Sequence, residues 1–175
     1  MNNISLMVGR FQPCMHKGHL QMIKDMKYRP CVVMIDAPGT SQDKNKNPLT
    51  WDERYDIIQE ALFPTYGDEV MFYEYHNGYI PDIIRMLRED DFDVKELIAG
   101  PDRIAEYKKK VDRLNQLLNT SDKISLEYVE ARRITSSTEV RAAIRDNDVK
   151  TFKSLTHRRN WDYFDFLREK LSNDR

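Results

Sequence analysis

Short apolar runs alternate with stretches of helical spacing along this chain. Ile4–Val8 is a continuous apolar run ending at Gly9, a buried-strand pattern. Leu20, Ile23 and Met26 then recur at helix spacing and predict a helix over Gly18–Lys27. Cys31–Ile35 is a β-branched run that fits a parallel strand covered on both faces. A polar loop over Asp36–Pro48 follows. Thr50-Trp51-Asp52-Glu53 then places Thr at a helix N-cap and Glu three residues on, a capping box that opens a helix with Tyr55, Ile58 and Leu62 on one face. The same alternation predicts a strand at Val70–Tyr75, a helix at Ile80–Leu87, a strand at Glu96–Ala99 and a charged helix at Asp102–Leu118. It closes with a strand at Ile124–Val129, a helix starting at Ser136/Ser137, and helical segments near 148–155 and 160–171.

Repeated strand–helix alternation predicts an α/β fold: a Rossmann-like, doubly wound parallel sheet with a helical C-terminal tail. The expected organisation is one domain over 1–145, with 146–175 as a helical extension of it. In such sheets a ligand lies beyond the carboxyl ends of the strands, at the topological switch point. The informative loops are therefore 9–18, 36–50, 76–79, 100–102 and 130–137. Of only six glycines, Gly9, Gly18, Gly39 and Gly100 fall in or beside them.

Composition narrows the function. The 175 residues carry 28 Lys+Arg against 29 Asp+Glu, a net charge of −1. Coating a polyanion needs many cations on one face, so neither a nucleic-acid partner nor a polybasic membrane anchor is expected. No apolar stretch approaches the ~18 residues of a membrane span. Cys14 and Cys31 form neither a disulfide framework nor a zinc motif, and the N-terminus reads as no signal peptide; a reduced, cytoplasmic setting is expected. Charge is unevenly placed, however. Residues 1–24 hold Arg10, Lys17, Lys24, His16 and His19 and no acid, which leaves −4 for the remainder.

That acid-free opening contains Gly9-Arg10-Phe11-Gln12-Pro13-Cys14-Met15-His16-Lys17-Gly18-His19. Gly9 permits close approach of backbone and ligand. His16 and His19 place two imidazoles at a helix entrance, where free N–H groups and the positive end of the dipole favour phosphate. Zinc is disfavoured, since no third ligand lies nearby and Lys17 repels a cation. Far along the chain, Ser136-Ser137-Thr138-Glu139-Val140-Arg141 offers hydroxyls and N–H groups at a helix start, and Arg141 offers a fork for phosphate oxygens.

His-x-Gly-His after a first strand resembles the signature of the nucleotidylyltransferase superfamily, and GRFQP…HKGHL is similar to the archaeal-type nicotinamide mononucleotide adenylyltransferases. SSTEVR resembles the SSTxxR motif, nearer to bacterial-type members. Cys14 and Met15 put two residues between Pro13 and His16 where the family has one, so the loop is expected to bulge. The resemblance implies transfer of AMP from ATP to nicotinamide mononucleotide, giving NAD and pyrophosphate. His16, His19 and Arg141 are its catalytic residues. Gly9, Arg10, Phe11, Lys17, Gly18, Gly100, Asp102, Arg103, Ser136, Ser137 and Thr138 are its ATP contacts, with Gly100-Pro101-Asp102-Arg103 similar to the superfamily's G-x-D-R. Ser41-Gln42 with Asn47-Pro48-Leu49-Thr50 and Glu53-Arg54 resembles a further family loop; Gln42, Asn47, Trp51 and Arg54, with Asn77 and Tyr79, are the acceptor candidates.

The implied partners are ATP with Mg2+ and a small phosphate-bearing acceptor; a homo-oligomer is compatible. No protein-held metal site and no covalent nucleophile is expected. Alternatives are an adenylyl- or cytidylyltransferase of the superfamily acting on pantetheine phosphate, a sugar phosphate or choline/glycerol phosphate, or a non-catalytic nucleotide sensor. A class I aminoacyl-tRNA synthetase fragment shares the His-x-Gly-His logic but not the basic surface that tRNA needs. The basic tail residues Lys153, His157, Arg158 and Arg159 are read as a solvated face, with cover for the triphosphate as the alternative.

Overall fold

A computed structural model describes residues 1–36 and 43–172. Five strands, β1 (Asn2–Gly9), β2 (Arg29–Ile35), β3 (Met71–Tyr75), β4 (Phe92–Ala99) and β5 (Glu127–Glu130), form one sheet in the order β3-β2-β1-β4-β5. Every pairing is parallel. The helices are α1 (Lys17–Asp25), α2 (Trp51–Tyr66), α3 (Ile80–Glu89), α4 (Pro101–Leu117), α5 (Ser137–Arg145), α6 (Val149–Leu155) and α7 (Phe164–Ser172). This is the expected doubly wound α/β fold.

Alternation along the strands explains the two layers. Ile4 and Leu6 of β1 and Cys31, Val33 and Ile35 of β2 point to one face, where Ile80, Ile83, Ile84 and Leu87 of α3 and Tyr107 and Val111 of α4 cover them. Met7, Val32 and Met34 point to the other, against Ile23 of α1 and Ile58 and Leu62 of α2. The continuous run at 31–35 thus reflects a strand buried on both sides. Ile80, Ile83, Ile84 and Leu87 are each at most 1 % exposed, and such burial contributes about 1.5–3 kcal/mol per side chain.

A third cluster joins the tail to the body. Val140, Ala143 and Ile144 of α5 pack with Phe152, Phe164, Leu167 and Leu171, and with Cys14, Leu49 and Ile57 from the front of the chain. The fully buried Asn160 donates its Nδ2 to the carbonyl of Ile57 at 2.8 Å. His16 and Thr156 form an antiparallel bridge that ties the tail to the first loop.

Three boundaries differ from the sequence pattern for identifiable reasons. β4 begins at Phe92 rather than Glu96 because its polar residues are satisfied. Asp93 pairs with Lys95 at 2.8 Å, and the buried Glu96 accepts from Ser5 Oγ at 2.8 Å and from the Lys27 amide at 3.1 Å. β5 begins at Glu127 because Ile124 pairs with the side-chain amide of Asn115, at 2.7 and 2.8 Å, in place of β4. Residues 158–163 form a 3-10 turn, and α7 starts only at Phe164.

Candidate active site

β1 and β4 are neighbours, yet the chain leaves their carboxyl ends toward opposite faces, into α1 and into α4. A crevice opens where they part, at the position expected of a switch-point ligand site. It has two lobes. One, of about 450 Å³, is lined by His16, Gly18, His19, Gly100–Arg103 and the 131–137 loop. The other, of about 390 Å³, is lined by Gly9–Gln12, Lys46, Asn47, Arg103 and Arg141. His19, Met22, Gly100, Arg103 and Ser137 border both.

The histidine pair is built by backbone hydrogen bonds. His16 is the N-cap of α1, and its Nδ1 accepts from the amides of Gly18 (3.0 Å) and His19 (3.3 Å). His19 Nδ1 accepts in return from the His16 amide at 3.3 Å. A nitrogen that accepts from N–H carries no proton, so each ring is neutral with its proton on Nε2. The sequence thus supplies a capping box made of imidazoles, leaving two Nε2–H donors for the crevice. The rings stack with centroids 3.7 Å apart and planes 17° from parallel. Burial lowers the pKa of His16 to about 4 against the attraction of Glu139, and burial together with His16 holds His19 well below its ordinary value.

Gly18 is required by this packing: a Cβ there would lie 2.8 Å from His16 Cε1. Phe11, at φ 52°, turns its ring against Gly9, where a Cβ would meet Phe11 Cζ at 3.0 Å, and edge-on to His19 at 4.8 Å. The extra residue between Pro13 and His16 is absorbed by burial. Cys14 (1 % exposed) enters the tail cluster, and Met15 (0 %) enters the cluster under α1. Burial pushes the Cys14 thiol up to about 12, so it is not a thiolate nucleophile at neutral pH.

The neutral pair predicts a pH signature. Between pH 6.5 and about 4 the unfolded chain binds a proton at residue 16 that the native fold refuses. Stability therefore falls with acidification through that window, by roughly 3 kcal/mol from this one group. Imidazole carbon and nitrogen shifts followed against pH should keep His16 neutral below pH 5. Titration near 6.5 would contradict the cap.

Arg141 reaches back to the first loop. Its Nη1 donates to the Gln12 carbonyl at 2.9 Å and its Nη2 to Thr138 Oγ1 at 3.4 Å. Arg145 and Asp43 are its charged neighbours. Ser136 caps α5 by accepting from the Glu139 amide at 3.3 Å, and Ser137, the first helical residue, borders both lobes. Arg10, Phe11, Gly100, Asp102, Arg103 and Asn47 all line the crevice.

Other expected contacts lie elsewhere. Arg54 is 2 % exposed, and its guanidinium is spent on the carbonyls of Arg10 (2.6 Å), Ile35 (3.1 Å) and Thr50 (3.1 Å), with Asp36 at 3.8 Å. Its Nε and Nη1 brace the loop ends, its Nη2 faces Asp36, and the residue borders neither lobe. Trp51 donates Nε1 to the Met34 carbonyl at 3.3 Å and stacks on Tyr55 at 5.1 Å, facing a separate open cavity beside β3. Tyr79 starts α3 under Lys110, and Asn77 Oδ1 accepts from its amide at 2.8 Å; neither borders the crevice. Lys17 is exposed outside both lobes, as is Thr138 except through Arg141. Gln42 lies outside the described residues. Lys153, His157, Arg158 and Arg159 line neither lobe; Lys153 covers the Trp161 ring.

Several residues that line the crevice, Lys46 and Met22 among them, carry no local sequence signal. Arg132, Arg133 and the half-exposed Ile134 line the first lobe from the 130–137 loop, which the strand–helix pattern had marked as informative. Gln12, inside the first motif, also lines the second lobe. Its buried amide pairs with both backbone groups of Leu49, at 2.8 and 3.2 Å.

The profile of the family described as cytidylyltransferase-like matches residues 6–143. The chain belongs to that family and hence to the nucleotidylyltransferase superfamily. Among solved structures, two of a bifunctional NMN adenylyltransferase/ADP ribose pyrophosphatase from Francisella tularensis share the fold. One has 16 % identity and a TM-score of 0.61, covering 99 % of this chain and 51 % of that one. The other, complexed with AMP and a Mn ion, has 16 % identity and a TM-score of 0.62, covering 98 % and 52 %. The chain thus spans about half the length of those proteins. No curated protein matches the sequence.

Proposed function

We propose that the protein transfers AMP from ATP to nicotinamide mononucleotide, giving NAD and pyrophosphate. The observation that carries this reading is the switch-point crevice whose two adjoining lobes are lined by the histidine pair, the α5 N-terminus and Arg141, with each imidazole fixed through its Nδ1. An oxygen of the acceptor phosphate attacks Pα, the Pα–O bond to Pβ breaks, and its electron pair leaves with pyrophosphate. The attacking oxygen is already anionic, so no general base is needed. Rate comes from in-line positioning and from stabilising charge that grows on the α- and β-oxygens.

Neutral imidazoles suit this task, because they donate without a proton leaving the ring. Ser137 and the free amides of α5 hold the triphosphate, and Arg141 takes the departing end. The divalent ion enters as part of the substrate, MgATP. The F. tularensis structure with AMP and Mn supports a nucleotide–metal pairing in this fold, and its description as a bifunctional NMN adenylyltransferase/ADP ribose pyrophosphatase supports the acceptor.

The test is pyrophosphate release from ATP or CTP with a panel of phosphate acceptors. ATP with nicotinamide mononucleotide should give the highest kcat/KM. A higher value for CTP with another phosphate would move the protein elsewhere in the superfamily. Binding of ATP with no release from any pair would make it a nucleotide sensor. Arg141→Ala is expected to raise the KM for ATP about tenfold, in line with loss of a charge-assisted hydrogen bond. An effect confined to the acceptor KM would remove Arg141 from the triphosphate.

A further inference from the structure

Three chain segments meet at Gln12 and form a closed circuit beside the second lobe. The side chain is 4 % exposed, and both ends of its amide go to one residue. Nε2 donates to the Leu49 carbonyl at 2.8 Å, and Oε1 accepts from the Leu49 amide at 3.2 Å. A side-chain amide that donates and accepts at one residue acts there as a strand partner would, and only Gln and Asn carry both groups on one carbon. Leu49 is buried in turn, in the cluster that holds Val140, Ala143 and Ile144 of α5. From that helix Arg141 reaches back and donates Nη1 to the Gln12 carbonyl at 2.9 Å. The first loop thus holds Leu49, Leu49 packs with α5, and α5 returns to the first loop. Gln12, Ser137 and Arg141 all line the second lobe.

We propose that Gln12 is a positioning residue: its clamp on Leu49 fixes its own carbonyl, and that carbonyl sets the Arg141 guanidinium for polyphosphate. The role of that polyphosphate as ATP and leaving group rests on the transferase reading above. An arginine free on its stem loses rotamer entropy when it grips an anion, and one already tethered loses less on binding. Guanidinium recognition of phosphate is also planar and directional, so the tether fixes orientation as well as place. A shift of about 1 Å in such a group can cost up to ~10²-fold. Gln12 differs here from Arg54, which also holds backbone carbonyls but borders neither lobe.

The test is a double-mutant cycle of Gln12→Met with Arg141→Ala, measured well below each variant's melting temperature. Gln12→Met keeps the length of the side chain and removes both bonds to Leu49. In calorimetry with inorganic tripolyphosphate, which needs no reaction, Gln12→Met alone should weaken binding at least fivefold. On the Arg141→Ala background it should change binding by less than twofold, because the group it positions is gone. In turnover, Gln12→Met should raise the KM for ATP about tenfold and leave the acceptor KM unchanged. Additive losses in the double variant would make Gln12 a general brace of the fold and overturn the proposal. Unchanged tripolyphosphate affinity in Gln12→Met, or a wild type that does not bind tripolyphosphate, would overturn it as well. If the wild type turns over no acceptor, the transferase reading falls on its own, and the calorimetric cycle still decides whether Gln12 places Arg141. Should Gln12→Met not fold, Gln12→Asn takes its place in the cycle, with an amide one methylene too short to span the clamp and the same expected outcome.

Discussion

His19→Ala is expected to lower kcat by about 10²–10³-fold, the usual loss when one preorganised donor to a developing oxyanion is removed. The residue is at the junction of the two lobes, and its Nδ1 is held by the His16 amide, so its Nε2–H needs no reorganisation as charge develops. The cost to the fold should be small. One reciprocal cap bond, the stack on His16 and an edge contact with Phe11 are lost, worth about 1–2 kcal/mol and ~2–8 °C of melting temperature. His19→Gln keeps an acceptor for the amide and an N–H donor and should recover part of the rate. Turnover of His19→Ala within threefold of wild type would sink the assignment of the crevice, whatever the acceptor.

Arg54→Ala should act the other way, on stability first. Its guanidinium joins the ends of β1 and β2 through the carbonyls of Arg10 and Ile35 and the start of α2 through that of Thr50. Removing it leaves three carbonyls without that donor and the part-exposed Asp36 without its counter-ion, a loss of roughly 3–5 kcal/mol that comes mainly from the unpaired carbonyls. Melting temperature should fall ~10 °C or more. Because Arg10 lines the crevice, the KM for ATP should also rise at temperatures where the variant is still folded. A variant with wild-type melting and a defect only toward the acceptor would restore Arg54 to the acceptor site.

These two residues show what the chain made legible and what it did not. His16 and His19 could be placed because spacing, a preceding strand and a following helix are all local. So could the layers, since 31–35 reads as doubly buried and Ile80, Ile83, Ile84 and Leu87 share one helix face. Arg54 followed an equally clear local pattern, but its role depends on where the carbonyls of residues 10 and 35 end up, which no local pattern specifies. Trp51 and Tyr79 failed as crevice residues for a related reason: an aromatic beside a loop can face either side of the sheet edge. Gln12 was hidden because its partner, Leu49, is 37 residues away. β4 was shortened in the reading because charged residues in a strand count as exposed until Ser5 and the Lys27 amide are seen to satisfy Glu96.

The two residues of the widened first loop have a consequence for how the protein ages under heat or mutation. Cys14 is rooted in the tail cluster and Met15 in the layer beneath α1, so the segment that aims His16 works as a hinge pin between two separately packed halves. Loosening either half releases one end of the pin. Variants that thin the tail, such as Phe152→Ala, should therefore lose catalysis at temperatures where the sheet is still intact.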